Sequence, residues 1–397
     1  MITINDKKDC MGCHACSNIC PQSCISMESD IEGFWYPKVD YDKCIECELC
    51  VKVCPIINKT IVNNEPMAYA CINNDEKVRI ESSSGGIFTL IAEQIIDENG
   101  IVFGVGFDER LELIHSYVET KEGLDKFRGS KYVQSKIGDT YYQAEEFLKQ
   151  GRKVLFTGTP CQISGLKSYL GQNYDNLFCV DIVCHGVPSP KVFKKYIDYQ
   201  ESSFGSLTQR IAFRQKAEGW KLYSVSLFFK NDTEYRQNLR KDLYMKAFLK
   251  DVCLRPSCYN CEFKTLHRQS DVTLADFWGI QNMLPEMDDN KGTSLIFVNS
   301  YSGQSMLNKI KDTALCKEVD INQAVKYNSA AVKSAAYNFK RDQFFANIDG
   351  LPFDQLVKKY CSDSMGVVVK RKGKSLIHKI LKKTGLLRSV KDTLRRN

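Results

Sequence analysis

Eight cysteines between residues 10 and 54 fall into two copies of one spacing: Cys10, Cys13, Cys16, Cys20-Pro21 and Cys44, Cys47, Cys50, Cys54-Pro55. Each copy reads Cys-x2-Cys-x2-Cys-x3-Cys-Pro, a run that ligates 4Fe-4S clusters, three thiolates holding one cluster while the fourth reaches across to the other. The spacing assigns Cys10, Cys13, Cys16 and Cys54 to one cluster and Cys44, Cys47, Cys50 and Cys20 to the second. Three ligands in one tight loop can occupy three corners of a cubane. Small or polar residues between them (Gly12, Ala15, Ser17) leave backbone N–H groups free to face sulfur. The proline after each fourth cysteine turns the chain away and withholds a donor. Zinc would prefer two separated Cys-x2-Cys pairs, and a disulfide framework belongs to an oxidising compartment.

The elements that position these residues divide the chain. Between the two runs, Ile25 to Val39 suits a hairpin, with Gly33, Phe34, Trp35 and Tyr36 as core covering the clusters. Residues 1–60 therefore read as a 2x(4Fe-4S) ferredoxin-like module, and the polar, aperiodic stretch Ile56 to Pro66 as its boundary. From Met67 strand-like and helix-like segments alternate, the α/β signature. Strands are expected at Met67–Ile72, Ile101–Phe107, Leu113–Glu119, Lys153–Thr157, Leu177–Val183, Leu207–Arg214, Leu222–Lys230, Val272–Ala275 and Thr293–Asn299. An amphipathic helix is expected at Gly86–Asp97 and further helices at Asp139–Gln150, Cys161–Leu170, Lys191–Gln200, Lys241–Lys250, Gln304–Thr313, Arg341–Asn347 and Phe353–Tyr360. The fold class is thus α+β with α/β: a ferredoxin-like module, a mixed α/β body and a basic helical C-terminal tail.

Eighteen cysteines in 397 residues, with no secretory leader in Met1-Ile2-Thr3-Ile4-Asn5-Asp6, point to a reducing compartment and to metal or redox chemistry. No stretch approaches the roughly 18 apolar residues of a membrane span, so a cytoplasmic location is expected. The net charge of +7 belongs to the tail: Lys370 to Arg396 carries eleven Lys/Arg against Asp392, a local net of +10 that leaves −3 for the rest. That tail, with Leu376, Ile377, Ile380, Leu381, Leu386 and Leu387 among its basic residues, suits an amphipathic helix on anionic lipid at the inner membrane face or a solvated helix packing on a partner. No nucleic-acid-binding motif is present.

Five further segments carry chemistry. Glu81-Ser82-Ser83-Ser84-Gly85-Gly86 opens a helix, where N–H groups, glycines and hydroxyls can wrap an anion, or where a serine simply caps. Arg128-Gly129-Ser130-Lys131-Tyr132 combines two cations with a ring. Thr157-Gly158-Thr159-Pro160-Cys161-Gln162 lies where a strand becomes a helix, and Asp181 to Pro190, containing Cys184-His185-Gly186, follows the next strand, both at the carboxyl edge where α/β sheets bind ligands. Cys253-Leu-Arg-Pro-Ser-Cys258-Tyr-Asn-Cys261 adds a Cys-x2-Cys with a third cysteine upstream, which zinc could also use. Gly104-Val-Gly106 is followed by a second strand instead of a helix, which excludes a dinucleotide fingerprint there, and neither a Walker loop nor a Gly-x-Ser-x-Gly elbow occurs.

Over about residues 1 to 320 these segments, with Ala275-Asp276-Phe277-Trp278-Gly279, resemble the coenzyme F420 hydrogenase/dehydrogenase β-subunit family, which includes 7-hydroxymethyl chlorophyll a reductase. The resemblance divides the body into an N-terminal-like domain at 67–160 and a C-terminal-like domain at 161–330, leaving 331–397 as C-terminal helices and basic tail. It implies FAD beside the clusters, with Ser82, Ser83, Ser84, Gly85 and Gly86 and Gly129, Ser130, Lys131 and Tyr132 on flavin phosphates or ribityl hydroxyls. Gly158, Thr159, Pro160, Gln162, His185 and Gly186 would border the isoalloxazine ring, and His185 and Lys131 would supply protons or stabilise charge. Cys161, Cys184, Cys258 and Cys261 are the candidates for a third 4Fe-4S cluster, with Cys253 or Cys179 able to replace one member. The implied activity is an oxidoreductase that passes electrons between ferredoxin, or another redox protein, and a small organic substrate or deazaflavin. An electron-transfer subunit without its own substrate site is the rival reading, and a cluster-bearing sensor a third. The ferredoxin pair in front and the basic tail behind depart from the archaeal subunits and leave the substrate open.

Overall fold

The computed structural model describes residues 1–363; the basic tail lies outside the described residues. Its centre is an eight-stranded sheet built from β3 (Met67–Asn73), β4 (Ile101–Phe107), β5 (Leu113–Val118), β6 (Val154–Thr157), β7 (Leu177–Ile182), β11 (Val272–Asp276), β12 (Ser294–Val298) and β13 (Ala314–Val319). The spatial order is β13-β3-β12-β11-β7-β6-β4-β5. The middle pairs β11/β7, β7/β6 and β6/β4 are parallel and the flanking pairs antiparallel. One sheet thus draws strands from both sides of residue 160, so the division expected there cuts through a continuous hydrogen-bonded unit.

Side-chain alternation explains how the sheet is covered. Val102, Leu155, Val180 and Ile296 face the helix Ile87–Asp97, which buries Ile87, Ile91, Ala92 and Ile95 on them. Their neighbours Ile101, Phe103, Val154, Phe156 and Cys179 face the opposite way, onto the helices Thr140–Lys149 and Pro160–Leu170. Strands buried on both faces read as unbroken apolar runs, which is why β4, β6 and β7 are legible in the sequence. β10 (Glu234–Asn238), which completes the three-stranded antiparallel sheet β10-β9-β8 with β9 (Ser224–Phe229) and β8 (Thr208–Gln215), was not expected. Its polar sequence lies at an edge and offers no apolar alternation. β13 and the helix Glu76–Glu81 were likewise unforeseen.

The N-terminal module contains the expected hairpin, β1 (Ile25–Ser29) with β2 (Trp35–Val39), Ile25 facing Val39. Its aromatic residues, however, cover the body instead of the clusters. Phe34 is fully buried in the core beneath the small sheet, 6.2 Å from the Phe345 ring. Tyr36 lies under the Arg255 guanidinium at 4.1 Å and Trp35 under the Lys136 ammonium at 4.2 Å. The hairpin is also tied down by the buried Arg341, which donates to Glu32 Oε1 at 2.9 Å, and by Ser189, whose hydroxyl donates to the Glu32 carbonyl.

Ser189 has a second duty as N-cap of the helix Pro190–Phe204, its oxygen accepting from Val192 N at 3.3 Å. Ser189→Ala should lower stability by about 1–2 kcal/mol, combining a lost cap with a partly buried carbonyl left without its donor. Urea unfolding monitored by fluorescence checks this, and an unchanged midpoint would remove Ser189 from both roles.

Candidate functional site

Three concavities are each lined by four of the expected cysteine ligands. Cys10, Cys13, Cys16 and Cys54 line one of about 390 Å³. Cys20, Cys44, Cys47 and Cys50 line a second of about 350 Å³. Cys161, Cys184, Cys258 and Cys261 line a third of about 450 Å³, together with Thr159, Pro160, His185 and Gly186.

The first two follow from local spacing, but the third is assembled by the sheet. β6 and β7 are adjacent and parallel, so the turns that leave them lie side by side at the carboxyl edge. Cys161 stands in the first turn of the helix Pro160–Leu170, whose start is fixed by a reciprocal cap between Thr159 and Gln162. Cys184 follows β7. The Cys258 loop is fastened to the segment after Cys184 by a bridge between Pro188 and Leu254 and by Arg255 N donating to Val187 O at 2.9 Å. Cys253, by contrast, is fully buried in the core beneath the small sheet, and Cys179 in the core under the helix Pro160–Leu170. Neither lines the third concavity, so the zinc trio Cys253, Cys258 and Cys261 is not brought together.

The donor chemistry fits clusters. Backbone N–H groups reach sulfur: Ile2 N lies 3.3 Å from Cys50 Sγ and Val187 N 3.4 Å from Cys258 Sγ. The Thr159 hydroxyl is 3.1 Å from Cys161 Sγ. Burial, reinforced by neighbouring cysteines, pushes the Cys16 and Cys258 thiols up to about 12. Such sets become thiolate by exchanging protons for metal. Burial raises the Cys184 thiol as well, with the Lys264 ammonium acting against it. Among the described residues no three His, Cys, Asp or Glu side chains converge tightly enough for a single metal ion. Cys24 escaped the spacing argument: it is buried, lines the second concavity, and its sulfur lies 3.3 Å from Cys20 Sγ.

The first and third concavities share Met11 as a wall. Close approach there requires a glycine, since a Cβ on Gly165 of the helix Pro160–Leu170 would lie 2.9 Å from Cys13 Cβ. The ferredoxin-like module is thus seated with its first cysteine set against the body's own.

The two loops expected to hold a flavin meet each other: Ser130 N donates to Ser83 Oγ at 2.6 Å. Ser82 and Ser84 donate to the Val78 and Thr293 carbonyls. Lys131 turns back on its own loop, its Nζ donating to the carbonyls of Phe127, Arg128 and Gly129, each at 3.1 Å, and burial pulls its pKa down to about 7. Tyr132 stacks on Phe248 at 4.7 Å and Phe248 meets His185 at 5.3 Å, so this side chain links the loops to the third concavity. His185 Nε2 lies 2.6 Å from Asp251 Oδ1. Gln162 is occupied by the helix cap and by Ser135, and Gly158 stands beside it. Asp276 of the Ala275–Gly279 segment holds the buried Arg214, which also donates to the Tyr132 hydroxyl at 3.0 Å.

Comparison with known proteins follows this layout. Residues 151–324 match the family described as the C terminus of the coenzyme F420 hydrogenase/dehydrogenase beta subunit, and residues 9–56 match the 4Fe-4S dicluster domain. The chain is 28% identical over 206 residues to the uncharacterized protein MJ1349 of Methanocaldococcus jannaschii, covering 43% of this chain and 56% of that protein. It is 29% identical over 175 residues to the coenzyme F420-dependent sulfite reductase of the same organism, covering 41% of this chain and 26% of the reductase. The N-terminal module is 37% identical over 57 residues to NADH-quinone oxidoreductase subunit I of Pelobacter propionicus, covering 12% of this chain and 31% of that protein. The chain therefore spans only part of these curated relatives. A chain from the F420-reducing [NiFe] hydrogenase complex of Methanosarcina barkeri superposes with a TM-score of 0.46 at 16% identity, covering 68% of this chain and 90% of that one. Residues 151–324 thus resemble the C terminus of the coenzyme F420 hydrogenase/dehydrogenase beta subunit, and with a ferredoxin-type 4Fe-4S module at residues 9–56 in front of that stretch the chain is an iron–sulfur protein related to electron-transfer oxidoreductases.

Proposed function

We propose that this chain is an iron–sulfur flavoprotein oxidoreductase with three 4Fe-4S sites and FAD, exchanging electrons between a ferredoxin-type carrier and a small organic substrate or deazaflavin. The observation that carries the reading is Met11, which lines both the Cys10–Cys13–Cys16–Cys54 concavity and the Cys161–Cys184–Cys258–Cys261 concavity. Ligand sets that share a wall suit one-electron exchange between module and body. FAD supplies, when bound, conversion between paired and single electrons.

The residues of the chain have separable parts in this reading. Ser83, Ser130 and the N–H groups around Gly86 and Gly129 would hold the phosphate end of FAD, while Gly85 donates its own N–H to Ser294 Oγ at 2.9 Å, with Thr159, Pro160, His185 and Gly186 at the ring end. His185, oriented by Asp251, is the candidate to hold a proton at Nε2 or Nδ1. Lys131, with its depressed pKa, instead shapes the Phe127–Gly129 turn through three carbonyls. The rival reading, an electron-transfer subunit of a larger complex, draws support from the module's likeness to NADH-quinone oxidoreductase subunit I and to pyruvate synthase subunit PorD of Methanothermobacter marburgensis.

Anaerobic purification with iron and flavin quantitation tests the proposal. About twelve irons per chain and extractable FAD are expected for three 4Fe-4S sites, whereas clusters without any flavin would remove the central step. Turnover by the isolated chain separates the enzyme from the subunit.

A further inference from the structure

The three cysteine sites differ in the charge that surrounds them. The first is lined by Asp9 and His14, and the second by Glu48, whereas the third is lined by Lys264, Arg268 and His185. Two of these three basic groups face carboxylates: Arg268 lies 3.6 Å from the buried Asp181, and His185 pairs with Asp251 at 2.6 Å. Lys264 does not. Its ammonium donates to the carbonyl oxygens of Cys184 and, at 2.9 Å, of Ala330, and among the described residues it has no carboxylate partner. Its own backbone N–H closes the turn after Cys261, donating to that residue's carbonyl at 3.4 Å. A partly buried, uncompensated cation is therefore held over two loops that carry ligands of one site.

Resting on the reading of that site as a 4Fe-4S centre, we infer that Lys264 is the positioning charge that makes the Cys161–Cys184–Cys258–Cys261 site the most readily reduced of the three, so that electrons supplied to the module by a one-electron donor collect in the body. Reduction adds one negative charge and takes up no proton from Lys264. The cost of that charge depends on nearby net charge, hydrogen bonds and solvent. Solvent does not separate the first and third sites, because the cysteines of both sets are half-buried. The fixed ammonium does separate them, since attraction in a poorly solvated pocket outlasts screening. Arg255, with Nε on the Cys10 carbonyl at 2.9 Å, also lacks a carboxylate partner among the described residues, but its charge acts on Cys258 of the third site as well, so it does not single out the first.

The test is an anaerobic redox titration of the full chain followed by electron paramagnetic resonance, with K264Q, K264M and K264R alongside. Gln keeps a donor for the Cys184 and Ala330 carbonyls without the charge, Met loses both, and Arg keeps charge and donor. In the wild type the third site should show the highest midpoint. K264Q and K264M should each make it at least about tenfold harder to reduce, about 59 mV for one electron, and leave the first two sites in place. K264R should stay near the wild type. A wild-type third site at or below the first, or a K264Q midpoint equal to that of the wild type, overturns the inference while about twelve irons per chain leave the three-cluster reading standing. About eight irons would instead overturn both together.

Discussion

Cys258→Ser should leave the module's two sites loaded and cut electron delivery to the body by roughly 100-fold or more, about 2.7 kcal/mol of barrier. Cys258 comes from a loop remote in sequence from Cys161 and Cys184, yet lines the same concavity, with Val187 N on its sulfur at 3.4 Å. Serine is close in size but presents a poorer donor to iron, so the proposed third cluster would lose one of its four ligands with little change in packing. The matched control is Cys253→Ala, five residues upstream, whose side chain is fully buried in an apolar core away from the concavity. The variant at 253 should keep the full iron content at some cost in stability, and the variant at 258 should lose about four irons. On the proposed reading of the chain as a flavoprotein, stopped-flow bleaching of FAD by reduced methyl viologen reads the rate. Equal iron and equal rates in the two variants would remove Cys258 from the ligand set.

Arg214→Leu should destabilise the chain by about 3–5 kcal/mol, the usual cost of removing one partner of a buried ion pair. The Arg214 side chain is 4% exposed and binds Asp276 through both nitrogens, Nη1 to Oδ2 at 2.7 Å and Nη2 to Oδ1 at 2.9 Å. Its guanidinium also lies 3.9 Å from the centre of the Tyr223 ring and joins β8 of the small sheet to β11 of the large one. Without it, Asp276 keeps, among the described residues, the Trp220 indole N–H at 3.1 Å, too little for a carboxylate 17% exposed. The double variant R214L/D276L removes both charges and should recover most of the loss, because the cost lies in the unpaired carboxylate. Denaturant midpoints decide: a loss under about 1 kcal/mol for R214L would mean that water reaches Asp276 and that the pair is a surface contact.

The first two cysteine sets are legible in the chain because their ligands are local: three thiolates within seven residues form one loop whatever surrounds it. The central strands are legible for a related reason. Burial on both faces demands unbroken apolar runs, so β4 has the expected bounds, whereas the polar edge strand β10 carries no such signal. Cys161, Cys184, Cys258 and Cys261 stand out by type and by their turns, but their meeting at one concavity comes from parallel pairing of β6 with β7 and from the Pro188–Leu254 bridge.

Lys264 and Arg255 had no signal at all, since a lysine or arginine in a loop reads as solvated until packing removes its water and its carboxylate partners. The hairpin aromatics show the same limit: Phe34, Trp35 and Tyr36 read in the sequence as core covering the clusters, yet the docked module shows that they cover the body. The sequence by itself determined the cysteine spacing that suits 4Fe-4S clusters and most strands of the central sheet, β13 excepted, because spacing and periodicity act over a few residues. Tertiary structure alone decided which distant loops face one another and which charges remain unpaired there, because electrostatics depends on the distance through the fold and on the water excluded from it.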